Sequence, residues 1–286
     1  MAKAREQTSK TVATTQDQAQ LPDFMREDLG KGMENIGQED LEVPRLKLIQ
    51  ALSPEVETYN ELRPGNFFHV SAEKIFTDPI RVVPIYADKR FMLWNPRDAG
   101  GGILARADDG VHWNPPNVEF SVKLDKGPQV IWRTAKTVAQ SKLADWGSSN
   151  PGDPQSQPAA TLMFNYLLGF PDYPDLMPAV LTFQRSSVRV GRRFNTKLKT
   201  IRAPLYGTMF ELRSTNDRNK AGKEYKNLSL TGAGFVTDKD LYERYRDLNA
   251  QFAEMGLAIK DLEGLQDEGV GDNDVETETE AGKPGF

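Results

Sequence analysis

The chain has 286 residues, no cysteine and only two histidines, His69 and His112. Disulfides and thiolate metal sites are therefore excluded, and two histidines are too few for a His-rich metal centre. No metal or other cofactor is expected. Long apolar runs are also absent. None approaches the ~20 residues that cross a bilayer, and the first residues lack the apolar stretch of a signal peptide. The expectation is a soluble cytoplasmic protein that does not touch a membrane. Catalytic patterns are equally scarce. Gly100-Gly101-Gly102 lacks the Gly-Lys-Ser/Thr of a phosphate-binding loop and reads as a flexible turn. Asp108-Asp109, followed by Gly110, reads as a turn more readily than as a pair of metal ligands. No Ser/His/Asp spacing is present. No catalytic residue is assigned, and no enzyme is expected.

Charge is plentiful but unevenly placed. The whole chain carries 36 Lys+Arg and 41 Asp+Glu, a net charge of −5. Nine of the acids lie in the last 26 residues, at Asp261, Glu263, Asp267, Glu268, Asp272, Asp274, Glu276, Glu278 and Glu280, against the single base Lys283. Without that segment the balance becomes 35 bases to 32 acids. From residue 269 onward almost nothing is apolar until Phe286, so residues 261–286 read as a disordered acidic tail. Such a tail either solvates the chain, or competes with nucleic acid for a basic surface and offers partners a charged handle. Asp272, Asp274, Glu276, Glu278, Glu280 and Phe286 are the candidate partner-binding residues.

Residues 1–20, rich in Thr, Gln, Ala and Lys, read as a disordered arm. The span 21–260 is expected to form one domain. A short strand or helical turn is expected at 43–52 and a strand at 67–76. A second β-rich stretch at 79–94 is expected to break at Asp88-Lys89. Residues 95–178 contain ten of the 18 prolines and three of the four tryptophans. They read as a loop-rich insertion with short strands at 119–124, 129–134 and 160–168. A strand follows at 179–184. Val190, Phe194, Leu198 and Ile201 then recur at spacings of four, four and three, which is one face of a helix ended by Pro204. Strands at 205–214 and 224–235 flank a polar hairpin loop at 215–223. A last helix is expected at 238–255. The fold class is mainly β with α. The order matches an elaborated five-stranded OB-like barrel, with a helix between strands three and four, the insertion, and a C-terminal helix.

Between residues 185 and 226 stand twelve bases: Arg185, Arg189, Arg192, Arg193, Lys197, Lys199, Arg202, Arg213, Arg218, Lys220, Lys223 and Lys226. Only Glu211, Asp217 and Glu224 oppose them. Aromatics are interleaved. Single-strand binding needs this pairing, because cations follow the phosphates and aromatic faces stack on bases. Phe194, on the apolar helical stripe, is assigned to the core. Tyr206, Phe210 and Tyr225 are candidates for outward-facing stacking positions, with the core as the competing place for each. Trp113, beside His112 and Pro115-Pro116, is the tryptophan expected to be exposed and to stack on bases.

These residues, together with the tail end Gly282-Lys283-Pro284-Gly285-Phe286, give the chain a resemblance to phage-encoded single-stranded DNA-binding proteins. That resemblance rests on 179–235 and on 267–286, and Lys283 departs from the usual run of acids. It implies an OB fold, a role in DNA replication or recombination in the host cytoplasm, and a tail that contacts replication or recombination proteins. A strand-annealing recombination mediator is the alternative within this class. A DNA-contacting virion assembly protein is the alternative outside it.

Overall fold

The computed structural model describes residues 31–32, 35, 43–77, 79–124, 127–219 and 222–257. The expected arm at 1–20, Lys220, and the acidic segment at 261–286 with its candidate partner-binding residues lie outside the described residues.

The architecture is mainly β with a few helices, and every strand ladder is antiparallel. The first strands, β1 (Leu46–Leu48), β2 (Phe67–His69) and β3 (Lys74–Phe76), form a small sheet. A single turn, α1 (Glu55–Thr58), separates β1 from β2. The stretch 67–76, expected as one strand, folds back on itself instead, pairing Phe67 with Phe76. The next strand, β4 (Ile80–Trp94), is the longest among the described residues. The expected break at Asp88-Lys89 does not form. Asp88 sits within the ladder to the later strand, opposite Asn165, and its carboxylate accepts hydrogen bonds from Arg90 and Asn165. A bulge between Pro84 and Tyr86 accommodates the proline within the sheet.

Residues 95–178 are only partly an insertion. They supply β5 (Ile103–Ala107), the hairpin β6 (Glu119–Lys123) and β7 (Gln129–Arg133), and the turn α2 (Val138–Ser141). These pack around a core of Trp113, Val122, Val130, Trp132, Val138 and Leu143 that they share with Phe91 and Leu93 of β4. The same stretch also contains β8 (Ala160–Gly169), which lies between β4 and β9 (Ala179–Gln184) in the main sheet. After β9 come α3 (Val188–Ile201), the hairpin strands β10 (Thr208–Arg218) and β11 (Glu224–Phe235), and α4 (Lys239–Met255). The main sheet runs β11-β10-β4-β8-β9, with β5 added on β4. The described ladders leave it open between β9 and β11, so the closed barrel expected from the element order is not made by strand pairing. Instead β1 lies against both ends. Arg45 forms a parallel bridge with Val180, and the Gln50 side chain bonds the backbone of Lys226.

Two apolar layers hold the helices. α3 closes one face through Phe194, whose ring lies 4.8 Å from Phe210 and 4.9 Å from Tyr166. Gly191 permits the approach, since a Cβ there would lie 3.0 Å from both Phe164 and Phe183. α4 covers Val83, Ile85 and Met92 with Tyr245. Its start is fixed by the Asp238 carboxylate, which accepts from the Asp240 and Leu241 N–H groups. Among the described residues no helix is long and apolar enough to cross a membrane.

His69 is wholly buried beneath the β2–β3 turn. Its Nε2 lies 2.9 Å from the Met177 carbonyl, and its Nδ1 faces the Ala72 N–H at 3.2 Å. That arrangement suits a neutral ring, with Nε2 donating and Nδ1 accepting. Burial lowers the imidazole pKa, and the nearby Lys74 charge works in the same direction. A depressed pKa means that the unfolded chain takes up a proton before the folded one does. The contribution of His69 is therefore whole above about pH 6.5 and is lost progressively as pH falls below it. Thermal midpoints between pH 7.5 and 5 should fall more steeply for the wild type than for His69→Gln; parallel slopes would overturn this role.

Candidate nucleic-acid interface

α3 contains five bases, Arg189, Arg192, Arg193, Lys197 and Lys199, and no acid. Its apolar stripe turns inward at Val190, Phe194 and Leu198. At 100° per residue, Arg189, Arg192, Arg193 and Lys199 then share the opposite face with Thr196 and Thr200. All six are exposed. Lys197 lies off that face and is exposed as well, but its Nζ donates to the Leu230 carbonyl at 2.6 Å and ties α3 to β11. Arg185 precedes the helix in a left-handed turn, φ 49°, and is half-buried. Arg202 ends the helix, also left-handed, and is exposed.

The hairpin stands beside this helix. β10 pairs with β4 only at Phe210, Glu211 and Leu212, so the rest of the hairpin extends past the sheet. Its first strand runs further than expected, to Arg218, while the second begins at Glu224 as expected, which shortens the loop to residues 219–223. All three acids of the basic segment lie here. Glu211 pairs with Arg213. Glu224 takes Arg218 through Nε at 3.1 Å and Nη2 at 2.6 Å. Asp217 accepts from Asn227 Nδ2 at 3.0 Å, the Arg218 N–H at 2.9 Å and the Tyr225 hydroxyl at 3.1 Å. Partial burial pushes the Asp217 carboxyl upward. The three hydrogen bonds, with the Arg189 charge, outweigh that and hold it below the usual carboxylate range. Lys226 reaches Asn216 Oδ1 at 2.7 Å, and Lys223 is exposed. The hairpin's charge is thus partly answered within the hairpin. Among the described residues no salt bridge is formed by Arg192, Arg193, Lys199 or Arg202. The open positive charge is concentrated on α3.

The expected aromatics separate into two groups. Phe210 is fully buried against Phe194, and Trp113 is 3% exposed, so neither offers a ring face for stacking. The Pro115-Pro116 context of Trp113 suggests a loop. Bridges from Arg106 to Asn114 and from His112 to Thr137 draw the segment inward, and the indole N–H donates to Ser141 Oγ at 3.0 Å. Tyr206 packs beneath α4, 5.3 Å from the Tyr242 ring. Only Tyr225, half-buried on the hairpin, keeps company with the cations. The exposed rings are Trp146, Tyr173 and, at the far end of β11, Phe235. Trp146 sits in an open groove of about 480 Å³ with Ile131, Leu143 and Pro154. The Asp-Trp-Gly turn around Trp146 was the available sequence signal for it. Among the described residues no three His, Asp or Glu side chains gather as metal ligands.

Residues 14–257 match the model of a family described as Pam3 phage gp34-like protein. No curated protein and no solved structure matches the chain.

The burial pattern generates a direct test. Trp94, Trp113 and Trp132 are buried, whereas Trp146 is 39% exposed. Acrylamide should quench mainly Trp146, and Trp146→Phe should remove most of the quenchable emission. Quenching that survives this substitution would show another indole to be accessible.

Proposed function

The chain belongs to the Pam3 phage gp34-like family, and we propose that this phage protein binds single-stranded DNA without sequence preference, coating it during replication or recombination. The observation that carries the proposal is the acid-free outer face of α3 beside a projecting hairpin. A row of Arg and Lys with no competing carboxylate attracts a polyanion, and Arg forks match phosphate geometry. The strand path supports an OB-like reading. Numbered along the chain, β4, β8, β9, β10 and β11 lie in the order 5-4-1-2-3 with α3 between the third and fourth. An OB barrel has the same neighbour order and seals by pairing the gap that β1 lies against here. Tyr225 is the one expected stacking ring left beside the cations, so phosphate contacts on α3 carry more of the affinity than stacking does.

Neutralising about four phosphates gives a slope near −3 in log affinity against log salt for single strands. Replacing Arg192, Arg193 and Lys199 together by Glu should weaken binding at least tenfold and flatten that slope, with little change in thermal midpoint because all three are exposed. Unchanged affinity would remove α3 from the DNA path. Equal or tighter binding of the wild type to duplex would favour a virion assembly role over strand coating.

The acidic segment completes the proposal. Its carboxylates carry the sign of phosphate and are tethered to a positive surface at high effective concentration. They compete with DNA for that surface and present Phe286 to replication or recombination proteins. Deleting 269–286 should tighten DNA binding, most strongly near 0.01 M salt, where screening lengths reach about 30 Å. Identical low-salt affinity of the two chains would leave the acids a solvating role only.

A further inference from the structure

We infer that Gln50 is a positioning residue that sets the pose of the basic hairpin, a role that rests on the nucleic-acid reading above. Its side-chain amide makes two hydrogen bonds to a single residue 176 positions away. Nε2 donates to the Lys226 carbonyl at 2.9 Å, and Oε1 accepts from the Lys226 N–H at 2.9 Å. A neighbouring strand normally offers one donor and one acceptor to an edge residue. Here a side chain supplies both, at the point where β10, the partner of β11, has run past its pairing with β4.

The amide is itself held in place. The Gln50 N–H donates to Ser53 Oγ at 2.9 Å. The adjoining Ile49 exchanges backbone hydrogen bonds with the 65–66 turn, at 3.0 Å to the Asn66 carbonyl and 2.8 Å from the Gly65 N–H. Gly65 then packs directly on the hairpin. A Cβ there would lie 3.0 Å from Ser214 Oγ and 3.3 Å from Lys226 Cε, and its φ of 99° also favours glycine. Across the hairpin, Lys226 Nζ meets Asn216 Oδ1. The Gln50 clamp therefore fixes the backbone of a residue whose cation, hydroxyl and amide neighbours all lie on the flank of the hairpin. The hairpin is also tied to α3 at its base, where Lys197 Nζ donates to the Leu230 carbonyl, and nearer its tip the Arg189 charge favours the Asp217 carboxylate. Releasing Gln50 leaves Lys197 and the buried Leu228 and Leu230 to hold the base of the hairpin, while the part beyond Leu212 loses its clamp and keeps only that screened attraction toward α3.

The test uses the full chain with Gln50→Leu, which keeps the bulk and removes both bonds, and Gln50→Ala as a second variant should the first fail to fold. Three quantities are read: thermal midpoint, hydrogen-exchange protection of the Lys226 amide without DNA, and affinity for a single-stranded oligonucleotide across a salt series. The expected result is lost Lys226 protection and affinity weakened roughly five- to tenfold, with a salt slope shallower by about one and a midpoint close to wild type. Lost protection with wild-type affinity and slope overturns the positioning role, and unchanged protection shows that the amide clamps nothing. A wild-type chain that binds no single strand sinks the nucleic-acid reading itself, a result that the exchange data keep distinct from failure of the clamp.

Discussion

The seat of α3 in the sheet is the constraint on which the candidate surface depends. Phe194 enters a nest of rings from Tyr166, Phe183 and Phe210, and Gly191 removes the one side chain that would hold the helix away. Burying a ring of this size contributes about 2–3 kcal/mol, far more than any single exposed charge contact. Once the apolar stripe is committed inward, the helical period turns Arg189, Arg192, Arg193 and Lys199 outward together. Their common face is a consequence of packing on the far side of the helix, and it requires no attraction among the cations themselves.

The same logic explains why the basic segment is electrostatically uneven. Strand pairing places Glu224 directly opposite Arg218, and it sets Asp217 opposite Tyr225 with Asn227 close by. The hairpin's acids are thereby used within the hairpin. A helix with no acid at any of its fourteen positions has no comparable internal partners. Among the described residues the positive charge without a salt-bridge partner therefore collects on α3, while the hairpin carries the exposed Lys223 and the half-buried Tyr225.

Within β4 a buried polar network stands where a turn was expected. Arg90 donates to Asp88 and to the Leu257 carbonyl, Asn165 donates to Asp88, and Thr182 donates to Asn165. Each buried polar group finds a partner, which makes burial of the charges tolerable. The network crosses β4, β8 and β9 and pins the residues that follow α4. It keeps β4 continuous through an Asp-Lys pair that reads, locally, as a reverse turn.

Local pattern was enough for part of this molecule. The four-four-three spacing of Val190, Phe194, Leu198 and Ile201 determined α3 and its polar face, because a helix's period is built into its backbone. Asp238 marked the start of α4 through its own capping chemistry. The basic excess between 185 and 226 was legible by counting, as were the strands at 119–124, 129–134 and 160–168. What only the tertiary structure decided was which side chains lie inside. Phe210 and Trp113 are core residues because distant segments cover them, and no neighbour in sequence reports that. The central place of β8, the two-part fold of 67–76, the unbroken β4 and the hold of Gln50 on Lys226 have the same origin. Each depends on contacts between residues far apart along the chain, and local propensity carries no record of them.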